Sequence, residues 1–141
     1  MARRFIPFDS HWRMGIEVPY SLGVIDRGKV WSCGQCPLDR DARVLHPGDL
    51  RRQLGCVAAL IRAQFEPYGI TTERIAKLVA YVAPEGSTPL EMVETLLREA
   101  LGRIRNSCYA PPGPASTGLA VDGFADPHCR ISVELLATKR P

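Results

Sequence analysis

Tyr20-Ser21-Leu22-Gly23-Val24-Ile25-Asp26-Arg27-Gly28-Lys29-Val30-Trp31-Ser32-Cys33-Gly34-Gln35-Cys36-Pro37-Leu38 is the stretch whose reading decides the fold. It reads as two strands joined at a tight turn. Leu22, Val24 and Ile25 make one apolar run, and Val30 and Trp31 open the next. Asp26-Arg27-Gly28-Lys29 between them supplies the Asp and Gly of a hairpin turn, because Gly tolerates positive φ. The second strand is expected to run out through Ser32-Cys33-Gly34-Gln35-Cys36-Pro37. A Gly within a strand leaves room for a ligand or a second backbone. Pro37 has no N–H to give a ladder, so regular pairing is expected to stop there.

On either side of this hairpin the chain alternates strand and helix signals. Phe5 to Phe8 is a short apolar run, read as an edge strand. Asp9 to Pro19 is polar and irregular, a flap or a surface loop, and Asp39 to Gly48 is a loop rich in Asp and Arg. Over Asp49 to Tyr68 the apolar residues Leu50, Leu54, Val57, Ile61 and Phe65 recur every three or four positions, which gives one helical stripe. Asp49 is placed to cap that helix and Gly69 to end it. Ile75 to Val82 is dense in β-formers and reads as a strand. Thr88-Pro89-Leu90-Glu91 is a capping box with Pro at the first helical position. It opens a second predicted helix, with Leu90, Val93, Leu97, Leu101 and Ile104 along one side. After an irregular, proline-stiffened stretch from Asn106 to Pro114 come two last strands, near Gly118–Phe124 and Arg130–Thr138. The pattern predicts an α+β fold: a mixed β-sheet with two helices packed on one face, in one domain spanning 1–141. The uncovered sheet face stays partly apolar, which favours burial in an oligomer.

Bulk properties narrow the function. A chain of 141 residues with 45% apolar and 23% charged residues suits one globular core. No run approaches the ~18 apolar residues of a membrane span. The opening Met-Ala-Arg-Arg-Phe-Ile-Pro-Phe lacks the apolar core of a signal peptide, so a cytoplasmic protein is expected. Five cysteines cannot all pair within the chain, and a reducing compartment is the simpler reading. The net charge of +3 comes from scattered bases, which argues against a nucleic-acid partner. His11, His46, His128, Cys108 and Cys129 show no metal-ligand spacing, so no metal and no cofactor are expected.

Pro19-Tyr20-Ser21-Leu22-Gly23, the hairpin, and Ser32-Cys33-Gly34-Gln35-Cys36-Pro37 together resemble the opening signature of the RidA/YjgF family. These are the reactive-intermediate deaminases, often labelled "endoribonuclease L-PSP". Arg130-Ile131-Ser132-Val133-Glu134-Leu135-Leu136-Ala137-Thr138-Lys139-Arg140 resembles that family's last strand, which carries a glutamate. Order and spacing agree from about Val18 to Arg140. The resemblance implies a YjgF/chorismate mutase-like fold, assembled as a homotrimer with ligand clefts between subunits. It implies a hydrolase or deaminase acting on a small enamine, imine or related nitrogen metabolite, including aminomuconate-type ring-cleavage products.

Residue by residue, Glu134 is the catalytic candidate. Alone it reads as an edge-strand glutamate in solvent, since acids are seldom fully buried. The resemblance makes it the cleft glutamate that activates water or passes a proton to the leaving nitrogen. Tyr20, Cys33, Gly34 and Gln35 match cleft positions, and Cys33 stands where the family has serine. In deaminating members an arginine follows a Pro-Ala pair and grips a substrate carboxylate bidentately. Here Pro114-Ala115 is followed by Ser116-Thr117-Gly118. Ser116 and Thr117 are therefore the substrate-contact candidates, and a different small ligand, or binding without turnover, becomes the rival reading. Ribonuclease activity, suggested by the label, lacks a phosphate clamp in this sequence. Cys33-x-x-Cys36 is a poor redox pair, because residues three apart in a strand are ~10 Å apart and on opposite faces.

Overall fold

The computed structural model describes residues 2–7, 18–84 and 114–139. Among them six strands, β1 (Arg4–Ile6), β2 (Gly23–Asp26), β3 (Lys29–Ser32), β4 (Ile75–Val82), β5 (Ala115–Ala120) and β6 (Ile131–Thr138), form one sheet. Its order is β1-β2-β3-β6-β4-β5. The pairs are antiparallel except β4 with β5, so the sheet is mixed. Among the described residues one helix, α1 (Leu50–Phe65), packs on it. The second helix expected over Thr88–Ile104 lies outside the described residues, as do most of the Asp9–Pro19 and Asn106–Pro114 loops.

The hairpin forms as its sequence predicts. Asp26 pairs with Lys29, which leaves Arg27 and Gly28 as a two-residue turn with φ of 47° and 74°. Two successive residues at positive φ are what a type I′ turn requires, and its twist matches that of the strands. The Lys139 N–H donates to the Gly28 carbonyl at 2.7 Å, which ties the end of β6 to this turn.

β3 is shorter than its sequence promised. The regular ladder closes at Trp31 opposite Leu136, and contact resumes only as an isolated bridge between Gln35 and Val133. Four steps on one side face three on the other, so this segment carries one extra residue and bulges. The interruption therefore comes well before Pro37. Ser32 fills the gap: its Oγ accepts the Leu135 N–H at 2.9 Å, replacing a ladder bond.

β5 also departs from expectation. It begins at Ala115 rather than near Gly118, and it ends at Ala120. Its bounds are set by the parallel register with β4, from Lys77↔Ala115 to Val82↔Ala120. Local propensity in Ala-Ser-Thr-Gly-Leu-Ala is weak, so the neighbouring strand decides the limits.

α1 is legible throughout. Asp49 accepts the Arg52 N–H at 3.1 Å as its N-cap, and a 3-10 turn over Glu66–Tyr68 carries the chain to Gly69 at φ 75°. Leu54, Val57, Ile61 and Phe65 are buried, with Leu50 packed at the rim. They meet Leu78, Ala80 and Val82 of β4 and Ile131, Val133, Leu135 and Ala137 of β6 in one core. Gln53, fully buried on the same helix, acts as a polar knot. Its Nε2 donates to the carbonyls of Leu45, His46 and His128 at 3.3, 3.0 and 2.8 Å, and its Oε1 accepts the Arg130 N–H at 2.8 Å. One side chain thus fastens the loop before α1 to the turn before β6.

Candidate active site

Alternation along β6 splits its residues between two sides. Ile131, Val133, Leu135 and Ala137 face α1, while Ser132, Glu134 and Leu136 face the open side. Cross-strand partners share a face, so the register adds Lys77, Val79 and Tyr81 of β4 and Trp31 of β3 to the open side. These strands form an open trough of about 420 Å³ lined by Trp31, Ser32, Lys77, Val79, Glu134, Leu135 and Leu136.

Glu134 sits in this trough, half-buried, directly opposite Val79. The Tyr81 hydroxyl donates to its Oε1 at 2.9 Å. That bond, together with burial and the nearby negative charge, raises the Tyr81 pKa above its usual 10.0. Tyr81 therefore stays a neutral donor, and it fixes one carboxylate oxygen while leaving the other free for water or ligand. Sequence reading missed Tyr81, because its neighbour is 53 residues away and only the strand register brings them together.

The glycine-bearing segment lies alongside. Gly34 abuts Ser132: a Cβ at position 34 would fall 2.5 Å from Ser132 Oγ. The space left by the missing side chain is thus occupied by this protein's own hydroxyl. Cys33 is half-buried against the core. Burial first, then the nearby Cys36, pushes its thiol up to about 11, with Glu134 adding a smaller push. At neutral pH Cys33 is a protonated thiol and a weak nucleophile. Gln35 turns the other way, fully buried among core residues, with Nε2 donating to the Cys33 carbonyl at 3.0 Å and Oε1 without a partner.

Cys33, Gly34 and Gln35 therefore flank the trough without lining it. Tyr20 is 55% exposed just before β2 and is also outside the lining. Thr117 pairs with Val79 and shares Glu134's face. Ser116 pairs with Leu78, faces the opposite side, and donates its hydroxyl to the Pro114 carbonyl at 3.0 Å. Among the described residues no three His, Cys, Asp or Glu side chains gather as a metal site.

The architecture has counterparts among solved structures. RidA from an Antarctic Psychrobacter covers 96% of this chain and 98% of its own, at 17% identity and a TM-score of 0.73. NMB1025, a YjgF family member from Neisseria meningitidis, covers 100% and 98%, at 18% identity and TM-score 0.70. The fold is that of the RidA/YjgF proteins. YyfA of Yersinia pestis, a Rid family protein described as of unknown function, has the same RidA-like fold at 19% identity, 97% and 99% coverage and TM-score 0.74. No family model matches the chain, and no curated protein matches it by sequence. Among the described residues of this RidA-like chain, no helix is long and apolar enough to cross a membrane.

Proposed function

We propose that this chain is a divergent RidA/YjgF-type hydrolase, one domain over 1–141, that deaminates a small enamine, imine or related nitrogen metabolite in the cytoplasm. The observation that carries the reading is the 2.9 Å hydrogen bond from Tyr81 to Glu134, whose carboxylate lines an open trough. A carboxylate held by one oxygen can take a proton from water with the other. The water oxygen bonds to the imine carbon, giving a carbinolamine. The first proton passes from Glu134 to the nitrogen as the carbinolamine forms; in the collapse Glu134 carries the hydroxyl proton to nitrogen as the C–N bond breaks, and ammonia leaves with a carbonyl product. Lys77, on the same trough, supplies a cation for an acidic substrate where the family's arginine position holds Ser116 and Thr117. Thr117 adds a hydroxyl on that face.

The functional particle in this reading is a homotrimer with clefts between subunits. Phe5, Trp31 and Leu119 are 61%, 42% and 44% exposed, and by register all three stand on the open face with Val24, Val79 and Leu136. A contiguous apolar face of this kind favours burial between copies. Trimer mass in sedimentation equilibrium supports the assembly, and a monomer at micromolar concentration overturns it.

The activity test is ammonia release from a panel of enamines and imines. The expected result is turnover that Glu134→Gln abolishes, with substrate binding retained. The absent arginine favours one rival, a trimer that binds a metabolite without converting it. Saturable binding with no product after long incubation would establish that rival and remove the hydrolase.

A further inference from the structure

The segment after β3 leaves a ligand little room. A Cβ at position 34 would fall 2.5 Å from Ser132 Oγ, Gln35 is fully buried, and neither residue lines the trough. The groups that a ligand could use stand at the other end. The register sets Trp31, Leu136 and Lys77 in one row across β3, β6 and β4. Glu134 lies two residues along β6 from Leu136, diagonal to both ends of that row. Diagonal neighbours on a sheet are about 7–8 Å apart, so Glu134 is about equally far from Lys77 and from Trp31. Lys77 and Trp31 are two strand spacings apart, ~10 Å. An anion, a cation and a ring thus mark three corners over an apolar floor of Val79 and Leu136.

Each corner is open to a ligand. Lys77 is exposed and makes no ion pair among the described residues. Tyr81 holds one oxygen of Glu134, and the other is free for an N–H group. Trp31 is 42% exposed, although its row neighbours Val24 and Leu136 are apolar. An indole in a recess offers a flat face, on which another ring stacks better than an alkyl chain does. The trough measures about 420 Å³, within the range of about 300–1,000 Å³ for small-ligand sites. A small aliphatic acid that reaches Lys77 and Glu134 would leave Trp31 uncovered.

We infer that the trough selects ring-bearing ligands: imines or enamines of carboxylic acids that carry an aromatic group. The ring lies on Trp31, the carboxylate meets Lys77, and the nitrogen stands at Glu134. The inference deepens the hydrolase reading and rests on it for the bond that breaks. An acid without a ring engages two corners, and so does an aromatic amine without a carboxylate. Trp31 and Lys77 are therefore specificity-determining residues. Their row continues through Val24 to Phe5, so the ring subsite is continuous with the apolar face assigned to assembly.

The test uses the full-length protein and three stable probes in calorimetry. L-Phenylalanine carries all three groups, L-alanine lacks the ring, and phenethylamine lacks the carboxylate. Phenylalanine should bind roughly tenfold tighter than alanine and roughly fivefold tighter than phenethylamine. Trp31→Leu keeps the position apolar and should abolish the preference over alanine. Lys77→Met should abolish the preference over phenethylamine. An unchanged sedimentation mass in each variant separates these losses from altered assembly, and the wild-type comparison stands if a variant fails to fold. Ammonia release is then followed from the imines that an amino-acid oxidase makes in situ from phenylalanine and alanine. The aromatic imine should have the higher kcat/KM, and Trp31→Leu should raise KM for that imine alone. Preferential binding of phenylalanine with no ammonia from either imine would support the ring subsite and remove the hydrolase. Equal affinity for phenylalanine and alanine, or equal turnover of their imines, would overturn the ring subsite and leave the hydrolase standing. Phenethylamine binding as tightly as phenylalanine would overturn the part given to Lys77.

Discussion

The two faces of the sheet are built from the same strands and have opposite characters. On the covered side, Leu78, Ala80 and Val82 of β4 and Ile131, Val133 and Leu135 of β6 are buried beneath α1. On the open side, one residue along, stand Lys77, Val79, Tyr81, Ser132 and Glu134. The period of two puts stability on one side and polar chemistry on the other. Packing can therefore constrain the first set tightly while the second varies with ligand or partner.

The largest expected effect comes from cutting the covered face. Leu78→Ala should cost about 2–5 kcal/mol in chemical denaturation, because it opens a cavity beside α1. The adjacent Val79→Ala should cost no more than about 1 kcal/mol, since its side chain is half-exposed. Similar losses at 78 and 79 would erase the distinction between the faces. Next comes Gln53→Leu, which keeps the volume but strands several backbone groups. It should cost roughly 2–4 kcal/mol by the same measurement, because a buried unpaired polar group costs ~1–3 kcal/mol.

On the open face, effects should appear in titration and ligand response. Tyr81 should ionise above its usual 10.0, and Glu134→Gln should bring it back toward that value in ultraviolet difference spectra. The folded value is raised, so the bond's contribution is complete below the ordinary tyrosine range and fades as pH climbs through the raised value. An unchanged Tyr81 titration in Glu134→Gln would mean that the bond does not form in solution. The smallest effect compares neighbours on β5. Ser116→Ala and Thr117→Ala should each change stability by under ~0.5 kcal/mol. Only Thr117→Ala should shift the dissociation constant of a ligand bound in the trough, measured by calorimetry.

What could be read from the chain follows from range. The Asp49 cap, the Leu54–Val57–Ile61–Phe65 stripe, the Arg27–Gly28 turn and the bounds of β4 are local signals, and each forms where its residues indicate. The extra residue between Trp31 and Gln35 carries no local mark, because a bulge is defined against the partner strand. The start of β5 is illegible for the same reason: its register belongs to β4. Glu134 stood out as an acid among apolar neighbours, but Tyr81 did not, and Ser116 and Thr117 could not be assigned to different faces before the strand bounds were known.

The close approach at position 34 reaches beyond its own segment. Ser132 Oγ occupies the volume an alanine methyl would claim. Enlarging residue 34 by one carbon would push that hydroxyl into another rotamer. A backbone position with no functional group of its own thereby governs where a hydroxyl on the neighbouring strand can point.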